Sequence, residues 1–412
     1  MTQSPSAASD SIIQWEAGGQ MHSLRWHSEA GNAAPKRVMA VDDQIPADVA
    51  YKLACEGTGL LWQGDYQNAR QLLQAMGRRI DQARERNDVK KAKHRAKDEK
   101  RAATAAAAGA AAAATPAETG PALAFHKHRH LQAQRARILG MLMLPLEAGF
   151  QMTMRRAPDV AAACSEAYGE QMGAQPFAIS MRELLGLVGA HEWRKKGVEI
   201  AALNERIHPY YGVYSPVRGE YIDLVAQAPL PSTELAFDIG VGTGVLSALL
   251  LQRGVKRVVA VDQDPRALAC ARDNLQRMKL LNKVELLEGD LFPPGKAPLI
   301  VCNPPWLPVR PSSPIEHAIY DPDSRMLLGF LNGLAEHLTP QGEGWLVMSD
   351  FAEHLGLRPR GMLQEAIAQA GLQVAGRHDI KPRHGKAADP DDPLHAARSA
   401  ETTTLWRLKI SK

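Results

Sequence analysis

Leu235-Ala236-Phe237-Asp238-Ile239-Gly240-Val241-Gly242-Thr243-Gly244-Val245-Leu246 decides the fold of this chain. It opens as an apolar run of strand length, turns through three glycines at alternate positions and continues as the start of an apolar helix. Glycines at 240, 242 and 244 let the backbone take left-handed φ values and come close to a ligand, and a helix beginning near Val245 presents free N–H groups there. The spacing is G-x-G-x-G. Dinucleotide-binding turns use G-x-G-x-x-G, so the pattern points to a nucleotide-like ligand other than NAD.

Working outward, Arg257-Val258-Val259-Ala260-Val261-Asp262 reads as a second buried strand, ending in a carboxylate at the distance where an acid accepts from ribose hydroxyls. A third strand over residues 284–287 leads into Glu288-Gly289-Asp290-Leu291-Phe292. A fourth apolar run, Leu299-Ile300-Val301-Cys302, delivers Asn303-Pro304-Pro305-Trp306. Successive prolines have a fixed φ and no N–H, so the Pro304 carbonyl is held as an acceptor without a competing donor beside it. The Asn303 side-chain oxygen is a second acceptor. Together they suit a planar NH2 group, such as an exocyclic base amine or a carboxamide, and Trp306 offers a flat face on which it stacks. Asp264-Pro265-Arg266 has the composition of a helix cap and first turn.

These four pieces in this order resemble the class I methyltransferases that use S-adenosylmethionine. Within them they look like the group with an N-P-P-aromatic motif, which includes adenine-amine and guanine-amine methylases and release-factor glutamine methyltransferases. The resemblance covers roughly the C-terminal half of the chain. It implies an α/β fold with a doubly wound, Rossmann-like sheet of seven strands, closing in an antiparallel hairpin of 372–374 with 403–408. It also implies that Asp238, Gly240, Gly242 and Gly244 line the methionine part of the donor and that Asp262 takes the ribose. Asp290 with Leu291 or Phe292 frames the adenine. Asn303 borders the donor and, with Pro304, Pro305 and Trp306, forms the catalytic group. The implied reaction moves a methyl group from S-adenosylmethionine to a planar amino or amide nitrogen of a macromolecule, a protein glutamine or a nucleic-acid base, with no metal. The alternative is a non-catalytic RNA- or protein-binding module on the same fold. Tyr214-Ser215-Pro216-Val217-Arg218-Gly219-Glu220-Tyr221 looks like the motif that precedes the core in glutamine-methylating members, without their arginine-proline-glutamate order. Tyr221, Leu224 and Val225 also fall at helical spacing and read as a packed face. Trp306 stands where those members commonly carry tyrosine.

With 412 residues and 45% hydrophobic content the chain has enough apolar material for one large core and a smaller one. A net charge of +4 and a pI near 8.8 allow an acidic partner without demanding one. Cys55, Cys164, Cys270 and Cys302 lie far apart with no C-x-x-C pair, as expected of free thiols in the cytoplasm. No apolar run has the length of a membrane span.

Residues 1–45, with isolated Trp15 and Trp26, read as a poorly ordered N-terminus. Residues 46–89 read as a helical hairpin similar to a single tetratricopeptide unit, with Gly64-Asp65 at its turn and Tyr66, Ala69, Leu72, Leu73, Met76 and Ile80 on one face. Residues 90–120 form a basic and then alanine-rich linker, in which Lys90, Lys91, Lys93 and Lys97 suit either a solvated helix or nucleic-acid phosphates. A helical region over 121–231 leads into the methyltransferase domain, 232–412. The expectation is therefore of an all-helical N-terminal region before the sheet. His126 and His130 share a helix face, but neighbouring cations and the lack of carboxylates argue against a metal. Arg383, His384 and Lys386 lie in a polar loop over residues 381–400, which suits either a border of the substrate or a plain surface loop.

Overall fold

Gly18 and Gly19, both at positive φ (60° and 76°), turn the chain between strands β1 (Ser11–Ala17) and β2 (Gln20–Trp26). A two-residue turn of this kind matches the twist of an antiparallel pair. The computed structural model describes residues 11–107, 120–216, 219–311, 314–383 and 385–411. The chain divides into two units, Met1–Val188 and Gly189–Lys412.

In the first unit, β3 (Arg37–Val41), helix α1 (Ala47–Cys55), β4 (Thr58–Trp62), α2 (Tyr66–Ala107), α3 (Pro121–Gly140), β5 (Leu142–Leu146), α4 (Ala161–Tyr168) and β6 (Phe177–Ser180) follow the hairpin. The helix α5 (Met181–Lys196) comes next in sequence. The strands make one six-stranded sheet in the order β1-β2-β6-β5-β4-β3. The expected helices are present, but the region is not all-helical. Residues 11–41, expected to be poorly ordered, carry three strands, while residues 1–10 lie outside the described residues. The hairpin expected over 46–89 is a helix, a strand and a helix. Thr58-Gly59-Leu60-Leu61-Trp62 is buried along its whole length, so it lacks the alternation that marks a half-exposed strand.

The predicted apolar face of α2 is in place at its N-terminal end, where Tyr66, Ala69, Leu72 and Met76 are buried. Beyond about four turns the helix is solvated, and Lys90, Lys91, Lys93 and Lys97 are exposed on it. The part of the alanine run beyond Ala107 lies outside the described residues.

The second unit begins with the small hairpin β7 (Val198–Ile200) and β8 (Glu205–Ile207), followed by α6 (Glu220–Gln227). Tyr221, Leu224 and Val225 are buried on α6, in the helical register read from the sequence. Val217 and Arg218 of the preceding motif lie outside the described residues. Then come β9 (Leu235–Ile239), α7 (Val245–Gln252), β10 (Arg257–Asp262), α8 (Pro265–Arg277), β11 (Val284–Glu288) and β12 (Ala297–Cys302). The remaining elements are α9 (Arg325–His337), β13 (Leu338–Ser349), α10 (Phe351–His354), α11 (Met362–Gln369), β14 (Leu372–Ile380), α12 (Gly385–Ala388), α13 (His395–Ala400) and β15 (Thr403–Ile410).

The sheet runs β11-β10-β9-β12-β13-β15-β14, parallel from β11 to β13, and β15 pairs antiparallel with both β13 and β14. This is the doubly wound, seven-stranded sheet with a closing antiparallel hairpin expected from the resemblance. Successive residues of β9 face opposite layers: Ala236 packs with α6 and α7, Phe237 and Ile239 with α9 and α11. Burial on both faces explains why these strands read as continuous apolar runs. The chain moves outward from β9 to β11 and then returns to lay β12 on the other side of β9. Ligands of open α/β sheets sit at such a reversal, outside the carboxyl ends of the strands.

Candidate active site

The parallel arrangement sends four of the sequence-predicted motifs to the same edge of the sheet. The glycine turn follows β9, Asp262 ends β10, Asp290 and Leu291 follow β11, and Asn303 follows β12. Cys302 pairs in register with Ile239, which places Asn303 and Gly240 as the next residues on adjacent strands.

The turn itself is tightly braced. Gly240 N and Val241 N both donate to the Val261 carbonyl, at 2.9 and 3.0 Å, and Gly244 N donates to Val241 O at 2.8 Å. Gly240, Gly242 and Gly244 all have positive φ. At Gly244 a Cβ would press on Ala271 at 3.3 Å, whereas one at Gly242 would meet only the Gly240 carbonyl at 4.0 Å. Gly242 therefore faces open space, and its lack of a side chain allows a ligand to approach the backbone.

Asp238 lies beneath the turn, 1% exposed, and accepts from Ser247 Oγ at 2.6 Å. Burial pushes its carboxyl up to about 6, with the Ser247 hydrogen bonds opposing. Asp262 is half-buried and accepts from Gly242 N at 3.0 Å on one oxygen and from Asp264 N at 3.0 Å on the other. Burial raises its carboxyl above the ordinary range, against the pull of those amides. A carboxylate has about four lone-pair sites, so both oxygens retain accepting capacity. Asp264 caps α8 by accepting from Arg266 N at 2.9 Å, the structural role read from its sequence context.

After β11, Asp290 is exposed and ion-paired with Arg325 at the start of α9. Leu291 holds a φ of 73°, an unfavourable conformation for a branched side chain and one that clusters at functional sites. Phe292 is turned away from the edge. Its ring stacks on His337 (4.3 Å between centroids) and Phe330 (5.8 Å) of α9, and the Leu291 side chain also lies against α9, at Gly329.

Asn303 Oδ1 accepts from the indole Nε1 of Trp306 at 3.0 Å. The Trp306 carbonyl in turn accepts from Arg358 at 2.8 Å. The segment from Leu307 returns to the sheet edge through Asp321 N, which donates to Leu307 O at 2.8 Å. The Asp321 carboxylate then caps α9 through Met326 N and Leu327 N.

Three contributors were not visible in the motif reading. Ser247 partners Asp238. Asn274, fully buried on α8, donates to Thr243 O at 3.0 Å and accepts from His208 N at 2.8 Å, tying the glycine turn to the segment after β8. Arg358 lies 52 residues beyond Trp306. None belongs to a local pattern. A buried Asn in the register of an amphipathic helix was the one available signal, since Asn274 falls on the same face as Cys270 and Ala271. The segment 381–400, expected to be a loop, carries α12 and α13; Arg383 N donates to Glu220 Oε1 at 2.6 Å, binding it to α6, and His384 lies outside the described residues.

Residues 222–371 match the methyltransferase small domain family. The chain is 32% identical over 123 residues to a protein described as an N5-glutamine methyltransferase of Methanocaldococcus jannaschii, covering 29% of this chain and 59% of that protein. It is 27% identical over 203 residues to a tRNA1(Val) (adenine(37)-N6)-methyltransferase of Shewanella loihica, covering 46% of this chain and 80% of the relative. Among solved structures it is similar to a ribosomal protein L11 methylase from Lactobacillus delbrueckii subsp. bulgaricus (TM-score 0.36, 17% identity, 51% of this chain and 87% of that one). The strand order, rather than that distant likeness, establishes the fold. Residues 222–371 thus match the methyltransferase small domain family over a segment that runs from the glycine turn through the N-P-P-W loop, and the sheet that carries them has the seven-stranded, doubly wound order.

Proposed function

We propose that this chain transfers a methyl group from S-adenosylmethionine to a planar amino or amide nitrogen of a macromolecule. The observation that carries the reading is the placement of Asn303-Pro304-Pro305-Trp306 beside the glycine turn, at the reversal point of the sheet. The similar proteins named above include one that acts on a tRNA adenine and one described as acting on a protein glutamine; the nitrogens are chemically alike.

When bound, S-adenosylmethionine supplies an electrophilic methyl group on a sulfonium. Gly242 leaves room for its methionine part in a turn that Gly240 and Gly244 shape, with Asp238 bonded to Ser247 behind it; Asp262 accepts from the ribose, and Asp290 and Leu291 border the adenine. On the acceptor side, Asn303 Oδ1 and the Pro304 carbonyl accept the two N–H bonds of the NH2 group. This withdraws the nitrogen lone pair from conjugation and directs it across the sheet edge toward the donor side. The nitrogen needs no strong base, because its proton becomes acidic only as the N–C bond forms, and it passes to solvent. Most of the acceleration then comes from orientation in an enclosed site.

The test is transfer of labelled methyl from S-adenosylmethionine into a cell extract, with the product digested by protease or by nuclease. Label in a glutamine side chain or a base amino group supports the proposal. Label on oxygen or carbon, or donor binding without any transfer, removes it; the second result favours the non-catalytic binding module.

A further inference from the structure

Asn303 and Trp306 are bonded to each other, and this bears on how the acceptor nitrogen is held. The indole Nε1 is a donor only, so the asparagine atom 3.0 Å from it must be the oxygen. That contact fixes which end of the amide is which. It occupies one lone pair of Oδ1 and leaves the other for a ligand N–H. An asparagine free to rotate would present its own NH2 donors to the acceptor nitrogen half of the time, an unproductive contact.

Trp306 is itself held from behind. Arg358, 3% exposed, sits between α10 and α11 and donates one terminal nitrogen to the Trp306 carbonyl at 2.8 Å; the other pairs with Glu353 Oε1 at 3.4 Å. Its Nε is buried with no partner. A guanidinium withdrawn from water with one N–H unsatisfied is costly for a fold to carry, and its full hydrogen bond to the loop goes to Trp306. Glu353, on α10, is also mostly buried, so the ion pair is screened little by solvent.

We propose that Trp306 and Arg358 are positioning residues: Arg358 anchors the Trp306 backbone, and the Trp306 indole locks the Asn303 amide with its oxygen toward the acceptor nitrogen. This rests on the amino-methylating reading above and adds to it that the aromatic residue acts through its N–H as well as its face. Phenylalanine at 306 would keep the face and lose the lock.

The experiment uses the full chain with 15N-labelled tryptophan, whose seven indole N–H signals are few enough to assign by loss in Trp306→Phe. In Asn303→Ala the Trp306 indole signal should move to the position of a solvent-bonded indole, and in Arg358→Met it should shift or broaden, with Arg358→Lys restoring it in part. Turnover is measured with labelled S-adenosylmethionine against total RNA or soluble protein of a cell extract. Trp306→Phe should lower kcat by about ten- to a hundredfold, the scale of a small misplacement of reacting groups, while KM for the extract and affinity for S-adenosylhomocysteine change little. An indole signal that stays in place in Asn303→Ala, or full kcat in Trp306→Phe, overturns the proposal. Should Arg358→Met fail to fold, the Asn303 and Trp306 variants still decide it. If the wild-type chain methylates neither RNA nor protein while the indole signal moves as expected, the transferase reading fails and the Asn303–Trp306 lock stands.

Discussion

Asp262 joins two adjacent strand ends: one carboxylate oxygen accepts the Gly242 amide at 3.0 Å and the other accepts the Asp264 amide at 3.0 Å. The acid at the end of β10 thus braces the glycine turn after β9 while keeping capacity for a further donor on each oxygen.

Replacing Asp262 with alanine should therefore weaken binding of S-adenosylmethionine or S-adenosylhomocysteine through lost ribose contacts and a loosened turn. The expected loss is about 1 to 3 kcal/mol, read by calorimetry. Asp262→Asn keeps one acceptor oxygen and should fall between. Tight binding of NADH with none of the methyl donor would contradict the site assignment.

Asp238 gives a pH signature. Its folded carboxyl lies at about 6, above the ordinary aspartate value of 3.8, because burial disfavours the charge. A raised folded value means the folded state holds the proton more tightly. The associated stability is fully present below about 4 and is lost as pH rises through 6. Asp238→Asn retains an acceptor for Ser247 Oγ without a charge to bury. The stability of this variant relative to wild type should rise between pH 4 and 7, by up to about 3 kcal/mol, in paired denaturation curves. A constant difference across that range would show that Asp238 does not titrate there.

Asn303→Ala should lower methyl transfer about a hundredfold or more with donor affinity nearly intact, since the lost interaction is made mainly in the transition state. From sequence, Trp306→Ala should chiefly raise the acceptor KM through lost stacking. The hydrogen bond between the two side chains changes that expectation: Trp306→Ala should lower kcat as well. Combining Asn303→Ala with Trp306→Phe should cost little beyond Asn303→Ala alone, because residues in one network are not additive. Additive single and double mutants in steady-state kinetics would argue against the coupling.

The exposed part of α2 offers a separate test. Deleting residues 90–115 should leave the melting temperature and donor affinity nearly unchanged, because the packed face of α2 ends well before Lys90. If the exposed lysines contact nucleic acid, the same deletion should weaken RNA binding and flatten its salt dependence. A deletion variant that aggregates would show that this segment supports the fold.

The amino-acid sequence by itself determined the catalytic sheet and the positions of its motifs. Buried parallel strands are unbroken apolar runs, and a glycine turn, a strand-end carboxylate and an Asn-Pro-Pro-Trp loop are local patterns whose order along the chain implies their meeting at one edge. What lies outside local pattern was decided only in three dimensions. The Gly18-Gly19 turn was the one readable sign of the N-terminal sheet; Thr58-Gly59-Leu60-Leu61-Trp62, buried on both faces between two helices, carries no period that separates strand from helix. Phe292 and Leu291 are equivalent on paper, and in space Phe292 stacks on His337 while Leu291 lies against Gly329. Asp290 pairs with Arg325, and the Asn303 amide takes its orientation from Trp306, whose carbonyl Arg358 holds from 52 residues further along the chain. A hydrogen bond needs only proximity and direction in space, and sequence separation encodes neither.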